Sequence, residues 1–292
     1  MNTDNRRGIR LMMLAMACFI ANDTLVKLVS QALPAGTLIM LRGLVASALV
    51  LLALRVTGTP VQPRLLGSRW VLVRAGIDGL ATLAYLLSLF QLPLANATAI
   101  NMATPLVITL LAVLWLRESV TAFQWAVLAA GFGGVLLVIQ PQADGFNAYA
   151  WLCLLGTVLH ALRDLVTRRI SAQVPSLLIT LATAVVVTLM AAVLCLVQGW
   201  QQPTPAQAGL LAAAAVFLAT GYYLIIKATR LGDLSVVAPF RYSGLLMAVL
   251  LGWAVWGDVP NAWAAFGIAL VVGSGLVLLH RQRAATAAAG LD

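Results

Sequence analysis

The chain has 292 residues, 62% of them hydrophobic and only 9% charged, with a mean hydropathy of +0.99. A soluble globular domain carries about 25% charged residues, so this composition excludes one and makes the bilayer the solvent. A net charge of +9 would point a soluble chain toward nucleic acid, but here 16 of the 18 basic residues are Arg set between apolar runs, where their meaning is topological.

One hydrocarbon crossing takes about 20 apolar residues. Apolar runs bounded by Pro, Gly or charge predict ten helices, at 9–29, 35–55, 70–91, 95–116, 121–140, 148–169, 175–198, 208–229, 234–256 and 261–280. No second, soluble domain fits beside them. The first run follows Arg6, Arg7 and Arg10, contains Asn22 and Asp23, and has no small-residue cleavage site after it. It therefore reads as a retained span and not as a signal peptide. The fold class is an all-α integral membrane protein, because the alternation of a β-barrel is absent and lone strands cannot cross lipid with unpaired backbone. Cys18, Cys153 and Cys195 fall in three separate runs, which makes them core residues and neither a disulfide framework nor a metal site.

With both termini cytoplasmic, fourteen of the eighteen basic residues lie inside, Lys27 lies outside, and Arg42, Arg163 and Arg241 fall within spans. This bias sets the orientation. The chain also repeats: Asp23, Lys27, Ser30 and Pro34 recur with identical spacing as Asp164, Arg168, Ser171 and Pro175, and Glu118 and Gly133 as Asp258 and Gly273. Two five-helix units follow, 1–141 and 142–292. Because five is odd, the second enters the membrane from the opposite side, giving an inverted-topology repeat with a site near the midplane.

The run from Leu94 to Pro105, then Trp115 through Thr121, Gln124 and Gly131 to Gly134, resembles the end of an EamA-type repeat of the drug/metabolite transporter superfamily. The second copy departs from that pattern at Asp258-Val259-Pro260. Within the superfamily the chain is similar to the aromatic amino-acid exporters of the YddG type. The resemblance implies a ten-helix metabolite carrier working on a small-molecule substrate; the Arg-over-Lys and Ala-rich usage fits a bacterium and hence an inner membrane, and a monomer is the expected unit.

No enzyme signature accompanies this. His160 and His280 are the only histidines, so paired-histidine zinc ligation is out. No phosphate-cradling glycine loop is present, and no metal or cofactor is expected. The informative residues are polar ones inside spans, since a charge near the bilayer centre costs at least about 2.5 kcal/mol and must face protein or water. Asp78, Thr82 and Tyr85 share one face of the third helix, and Thr157, His160 and Asp164 one face of the sixth. With Asn101, Met102, Tyr223 and Tyr242, the residues Asp78, Thr82, Tyr85 and His160 form the expected substrate cavity, enclosed by the first, third, fourth, sixth, eighth and ninth helices.

Asp23 with Arg42 reads as a fixed ion pair, and Asp164 with Arg241 as either an inner gate or a static pair. Asp78 has Arg74 one turn away as a partner. Pro105 and Pro239 free the carbonyls of Asn101 and Ser235 and are candidate hinges. Two other functions fit the same elements: an antiporter of nucleotide sugars or sugar phosphates, which needs several basic residues around an anion, and a membrane scaffold or lipid-moving subunit with no small-molecule site.

Overall fold

The computed structural model describes residues 3–116, 121–140, 148–167, 169–171, 173–231 and 237–288. Among these, every regular element is helical: α1 Thr3–Ser30, α2 Ala35–Val56, α3 Pro63–Leu66, α4 Arg69–Leu89, α5 Leu94–Asn101, α6 Thr104–Leu116, α7 Ala122–Ile139, α8 Ala148–Thr167, α9 Ser176–Gln198 and α10 Pro205–Leu231, then a 3-10 turn Ala238–Tyr242, α11 Ser243–Trp256 and α12 Ala262–Ala288. Pro34, Pro93 and Pro175 stand at the N-caps of α2, α5 and α9. A proline sacrifices nothing there, since the first N–H groups of a helix have no partner within it. Thr121 opens α7 with a capping box to Gln124.

Among the described residues eight stretches are long and apolar enough to cross a membrane: α1, α2, α4, residues 94–111 across α5 and α6, α7, α8, α9 and α10. The last two of the ten expected are shorter, α11 having 14 residues and the apolar part of α12 spanning Ala262–Leu278. The short α3 was not expected from the apolar pattern.

The connections 31–34, 90–93, 199–204 and 257–261 gather at one end of the bundle, the upper end below. Gln201 Nε2 donates to the Ala32 carbonyl at 3.3 Å, and the side chains of Gln140 and Asn261 exchange hydrogen bonds of 2.8 and 3.0 Å. Laterally, α1 packs on α10, α4 on α8, α2 on α9 and α7 on α12. In the expected numbering these are the first with the eighth, the third with the sixth, the second with the seventh and the fifth with the tenth. Exchange of the two halves swaps the first two pairings and maps each of the others onto itself.

The self-mapping pairs are closely apposed. A Cβ on Gly134 of α7 would stand 2.7 Å from the Gly267 carbonyl of α12, so backbone meets backbone there. Gly133 and Gly273, in the same glycine-rich stretches, would meet nothing within 4 Å; only part of that small-residue pattern is a packing seam.

The fourth expected helix is broken. It stops at Asn101, turns through Met102 and Ala103, and resumes at Thr104. Pro105 has no N–H to offer the Asn101 carbonyl, but that carbonyl is not free as expected: Thr104 Oγ1 donates to it at 2.6 Å. The ninth is also irregular: after Val237, which is α-helical, a 3-10 turn with Pro239 in its first residues precedes the α-helix that starts at Ser243. Ser235 lies outside the described residues, as do Glu118 and Arg168. Both breaks lie deep in the bundle, where Met102 Cε would be 3.1 Å from a Cβ on Gly244.

Gly134→Leu is expected to cost about 1–3 kcal/mol by overpacking the α7–α12 seam, whereas Gly133→Leu is expected to be near neutral. Thermal unfolding of the two variants in the same detergent checks the difference.

Candidate functional site

Three polar layers are stacked through the bundle. At the upper end Lys27 of α1 is only 6% exposed. Its ammonium donates to the Leu92 carbonyl, sits 4.8 Å from the Trp256 ring centroid, and feels the charge of Asp258. A cation in apolar surroundings must be paired or hydrogen-bonded, and here its partners come from the α4–α5 connection and the upper end of α11. Lys27 thus joins three segments across that end.

The middle layer begins at Asp23. One carboxylate oxygen accepts from Tyr85 Oη of α4 at 2.7 Å, the other from the side-chain amide of Asn22 at 2.8 Å. Arg42 of α2 donates to Asn22 Oδ1 at 3.4 Å. The expected Asp23–Arg42 ion pair is therefore bridged through Asn22, although the two charges remain within electrostatic range. Next to Tyr85, with ring centroids 6.4 Å apart, His160 of α8 donates from Nδ1 to Asn101 Oδ1 at 3.0 Å. Thr157 Oγ1 reaches the Ile100 carbonyl at 3.3 Å, so α8 holds the lower end of α5 where the helix breaks.

The lower layer is ionic. Asp78 of α4 receives Arg163 of α8 at 2.8 Å and Arg74, one turn away, at 3.2 Å. Arg163 also binds Asp164 at 2.8 Å, and Arg74 reaches the hydroxyls of Thr167 and Thr183. Two carboxylates and two guanidinium groups neutralise each other, as burial of charge requires. Asp78 is accordingly a member of this network and not a free wall of the cavity. Asp164 likewise pairs with its neighbour Arg163; among the described residues Arg241 forms no ion pair.

Beside the ionic layer the bundle opens. Tyr222 of α10 is 50% exposed although it lies within electrostatic range of Asp78, Arg163, Arg74 and Arg42, which come from α4, α8 and α2. A side chain both surrounded by charged groups of other helices and accessible lines an open internal vestibule. Phe19 of α1 stacks on it edge to face, with ring centroids 5.1 Å apart. Arg241, from the 3-10 turn, is exposed on the same side.

The structure brings Tyr85, Asn101 and His160 together, with Thr82 half-buried on the same helix as Tyr85 and Met102 at the helix break. It separates two others. Tyr223 is 62% exposed, with Lys227 Nζ 5.8 Å above its ring. It stands opposite the strip Gly221, Leu224 and Ala228 by which α10 packs on α1; one residue is about 100° of helix rotation, so Tyr222 enters the vestibule in its place. The Tyr242 hydroxyl is buried against Gly275 of α12, without a hydrogen-bond partner among the described residues, and so points away from the middle layer. Arg163 and Tyr222 were absent from the sequence-derived site. Arg163 does follow His160 by three positions, the spacing that puts two residues on one helix face.

Residues 6–140 and again 147–279 match the EamA-like transporter family. The chain belongs to that family. A riboflavin transporter of Rhizobium johnstonii is 30% identical to this EamA-like protein over 211 residues, 72% of this chain and 70% of that one. A pseudopaline exporter of Pseudomonas aeruginosa is 27% identical over 279 residues, 95% of this chain and 98% of that one. A crystal structure superposes on 94% of this chain and 98% of its own with a TM-score of 0.62 at 20% identity, which shows the shared fold. The EamA-like chain is thus a multi-pass membrane protein of a transporter family, built of two repeats.

Asp78→Ala leaves Arg74 and part of Arg163 uncompensated in a largely buried layer, and is expected to cost about 3 kcal/mol. A lowered thermal midpoint in detergent, with Thr82→Ala close to the parent, checks this.

Proposed function

We propose that the protein exports small metabolites, amino acids first among them, across a bacterial inner membrane by alternating access. In this reading ten spans form two inverted five-helix repeats, 1–141 and 142–292, with both termini in the cytoplasm and the upper end outside. The excess of basic residues at the lower end supports that orientation. The observation that carries the mechanism is the contrast between the ends: Lys27 ties α1 to the α4–α5 connection and to α11 above, while Tyr222 and Arg241 are accessible below. In this reading the contrast supports a carrier closed to the outside and open to the cytoplasm, the loading state of an exporter.

The expected cavity residues Asp78, Thr82, Tyr85, Asn101, Met102 and His160 then fall in or next to the path, with Tyr222 replacing Tyr223 and Tyr242 supporting from behind. Asp23 and Arg42 close the path through Asn22. The irregular turns at Met102–Ala103 and at Ala238–Tyr242 let the helical segments above and below them move separately, with Pro105 and Pro239 as hinges. The competing antiporter of anionic sugars gains no support from the charges, because Arg74 and Arg163 are already neutralised by Asp78 and Asp164.

Uptake of labelled amino acids into proteoliposomes tests the function; a folded protein that moves none of a broad panel overturns it. Lys27→Met is expected to open the upper end. A cysteine placed at Met102 then becomes reactive to an impermeant thiol reagent added outside intact cells, while in the Lys27 parent it reacts only from the cytoplasmic side of inverted vesicles. Pro105→Ala is expected to slow transport severalfold with little change in KM, because it alters a hinge and not a contact; initial rates over a substrate series separate the two.

A further inference from the structure

At the lower end, the corner between α3 and α4 meets the connection from α8 to α9. Leu66 of α3 and Ile170 and Val174 of the connection pack around Val71 and Ala75 of α4 and Ala182 of α9. The connection is itself held, the Arg169 N–H donating to the Val166 carbonyl at 2.9 Å and the Ile170 N–H to that of Thr167 at 3.1 Å. This contact brings two arginines, one from each half of the chain, to a single tryptophan. The guanidinium carbons of Arg69 and Arg169 lie 5.7 and 5.9 Å from the centroid of the Trp70 ring. All three side chains are exposed.

Nothing in the two segments neutralises the pair. Residues 55–69 and 168–175 include no Asp or Glu, and among the described residues neither Arg69 nor Arg169 forms an ion pair. Arg74, on the next turn of α4, is by contrast occupied by Asp78 and by the hydroxyls of Thr167 and Thr183. A cation held over an aromatic face keeps its N–H groups for an acceptor. Two such cations on one ring repel each other unless an anion joins them.

Away from this end the same face of α4 turns apolar. Arg69, Val73, Gly76 and Leu80 succeed one another at steps of four and three, along one strip of the helix. Val73 and Leu80 are exposed, and a Cβ on Gly76 would meet nothing within 4 Å. A cationic end followed by an open apolar strip matches an amphiphile, where a soluble anion would use only the first. Tryptophan marks the headgroup level between the two.

We propose that Arg69, Arg169 and Trp70 form a docking site for an anionic phospholipid of the leaflet at the lower end, its phosphate between the two guanidinium groups and an acyl chain along Val73, Gly76 and Leu80. Guanidinium groups take phosphate oxygens through paired N–H donors, and basic pockets between helices at a cytoplasmic surface bind acidic headgroups. Because the site draws one arginine from each half of the chain, a bound lipid fastens the halves together where α4 packs on α8. It is independent of which solute the protein carries.

The test uses the full-length protein in a neutral detergent, titrated separately with phosphatidylglycerol, phosphatidylcholine and glycerol 3-phosphate. Native mass spectrometry reads the bound lipid and the thermal midpoint reads its effect. Phosphatidylglycerol is expected to bind as a single copy and to raise the midpoint, at a half-effect concentration about tenfold or more below that of phosphatidylcholine. Glycerol 3-phosphate, which has the phosphate without the chains, is expected to have no effect over the same range. The double variant Arg69→Gln/Arg169→Gln is expected to raise the half-effect concentration of phosphatidylglycerol about tenfold. Arg6→Gln/Arg7→Gln, which removes the same charge from exposed positions on α1, is expected to leave it unchanged. Should the first double variant fail to fold, Arg69→Gln and Arg169→Gln singly, each expected to raise it about threefold, decide in its place.

Equal binding of phosphatidylcholine, or an equal loss in the Arg6/Arg7 variant, makes the attraction diffuse and overturns the site. An equal effect of glycerol 3-phosphate makes it a site for soluble phosphate and overturns the lipid. Parent behaviour in the Arg69 and Arg169 variants overturns the proposal outright.

Discussion

Everything polar in this bundle is governed by the cost of holding charge away from water. An apolar chain with so few ionisable residues does not scatter them inside its helices, because each one must find a counter-charge, a hydrogen bond or a water-filled space. The result is stratification. Lys27 resolves its charge on a carbonyl and an aromatic face, Asp23 on hydroxyl and amide donors, Asp78 on two guanidinium groups, and Arg241 on access to the vestibule. These four solutions are chemically distinct.

The helices divide in the same sense. Pairings that map onto themselves, α2 with α9 and α7 with α12, rest on close backbone approach at Gly36 against Cys195 and at Gly134 against Gly267. Backbone-to-backbone seams have no rotamers to adjust and make a rigid frame. Pairings that interchange, α1 with α10 and α4 with α8, carry the polar side chains. Side chains can trade partners at modest cost, so the frame and the moving parts are distinguished by what touches what.

The span positions were legible because prolines and charges punctuate the apolar runs within a few residues of the observed helix ends, as at Pro34, Pro93 and Pro175. The Arg74–Asp78 contact was legible too, being local in sequence. What depended on rotation or on long-range contact was not. Tyr222 and Tyr223 are indistinguishable until Gly221 is seated under Phe19, which fixes how α10 is turned. Arg163 reads as a neighbour of Asp164 until α4 brings Asp78 to it across 85 positions. Asn101 looked like a broken helix end with a bare carbonyl, because side-chain capping by Thr104 is invisible to a pattern of apolar residues.

That Asp78 has two guanidinium partners bears on how such a chain is made. Synthesis delivers α4 to the membrane well before α8 exists, and a lone carboxylate on an inserting helix would resist entry into lipid. Arg74, one turn away on the same helix, neutralises it in the meantime. When α8 arrives, Arg163 takes the closer position, and Arg74 also reaches the hydroxyls of Thr167 and Thr183. The i,i+4 pair is in that sense a chaperone carried within the helix: it keeps the third span insertable until the second half of the protein supplies its permanent counter-charge.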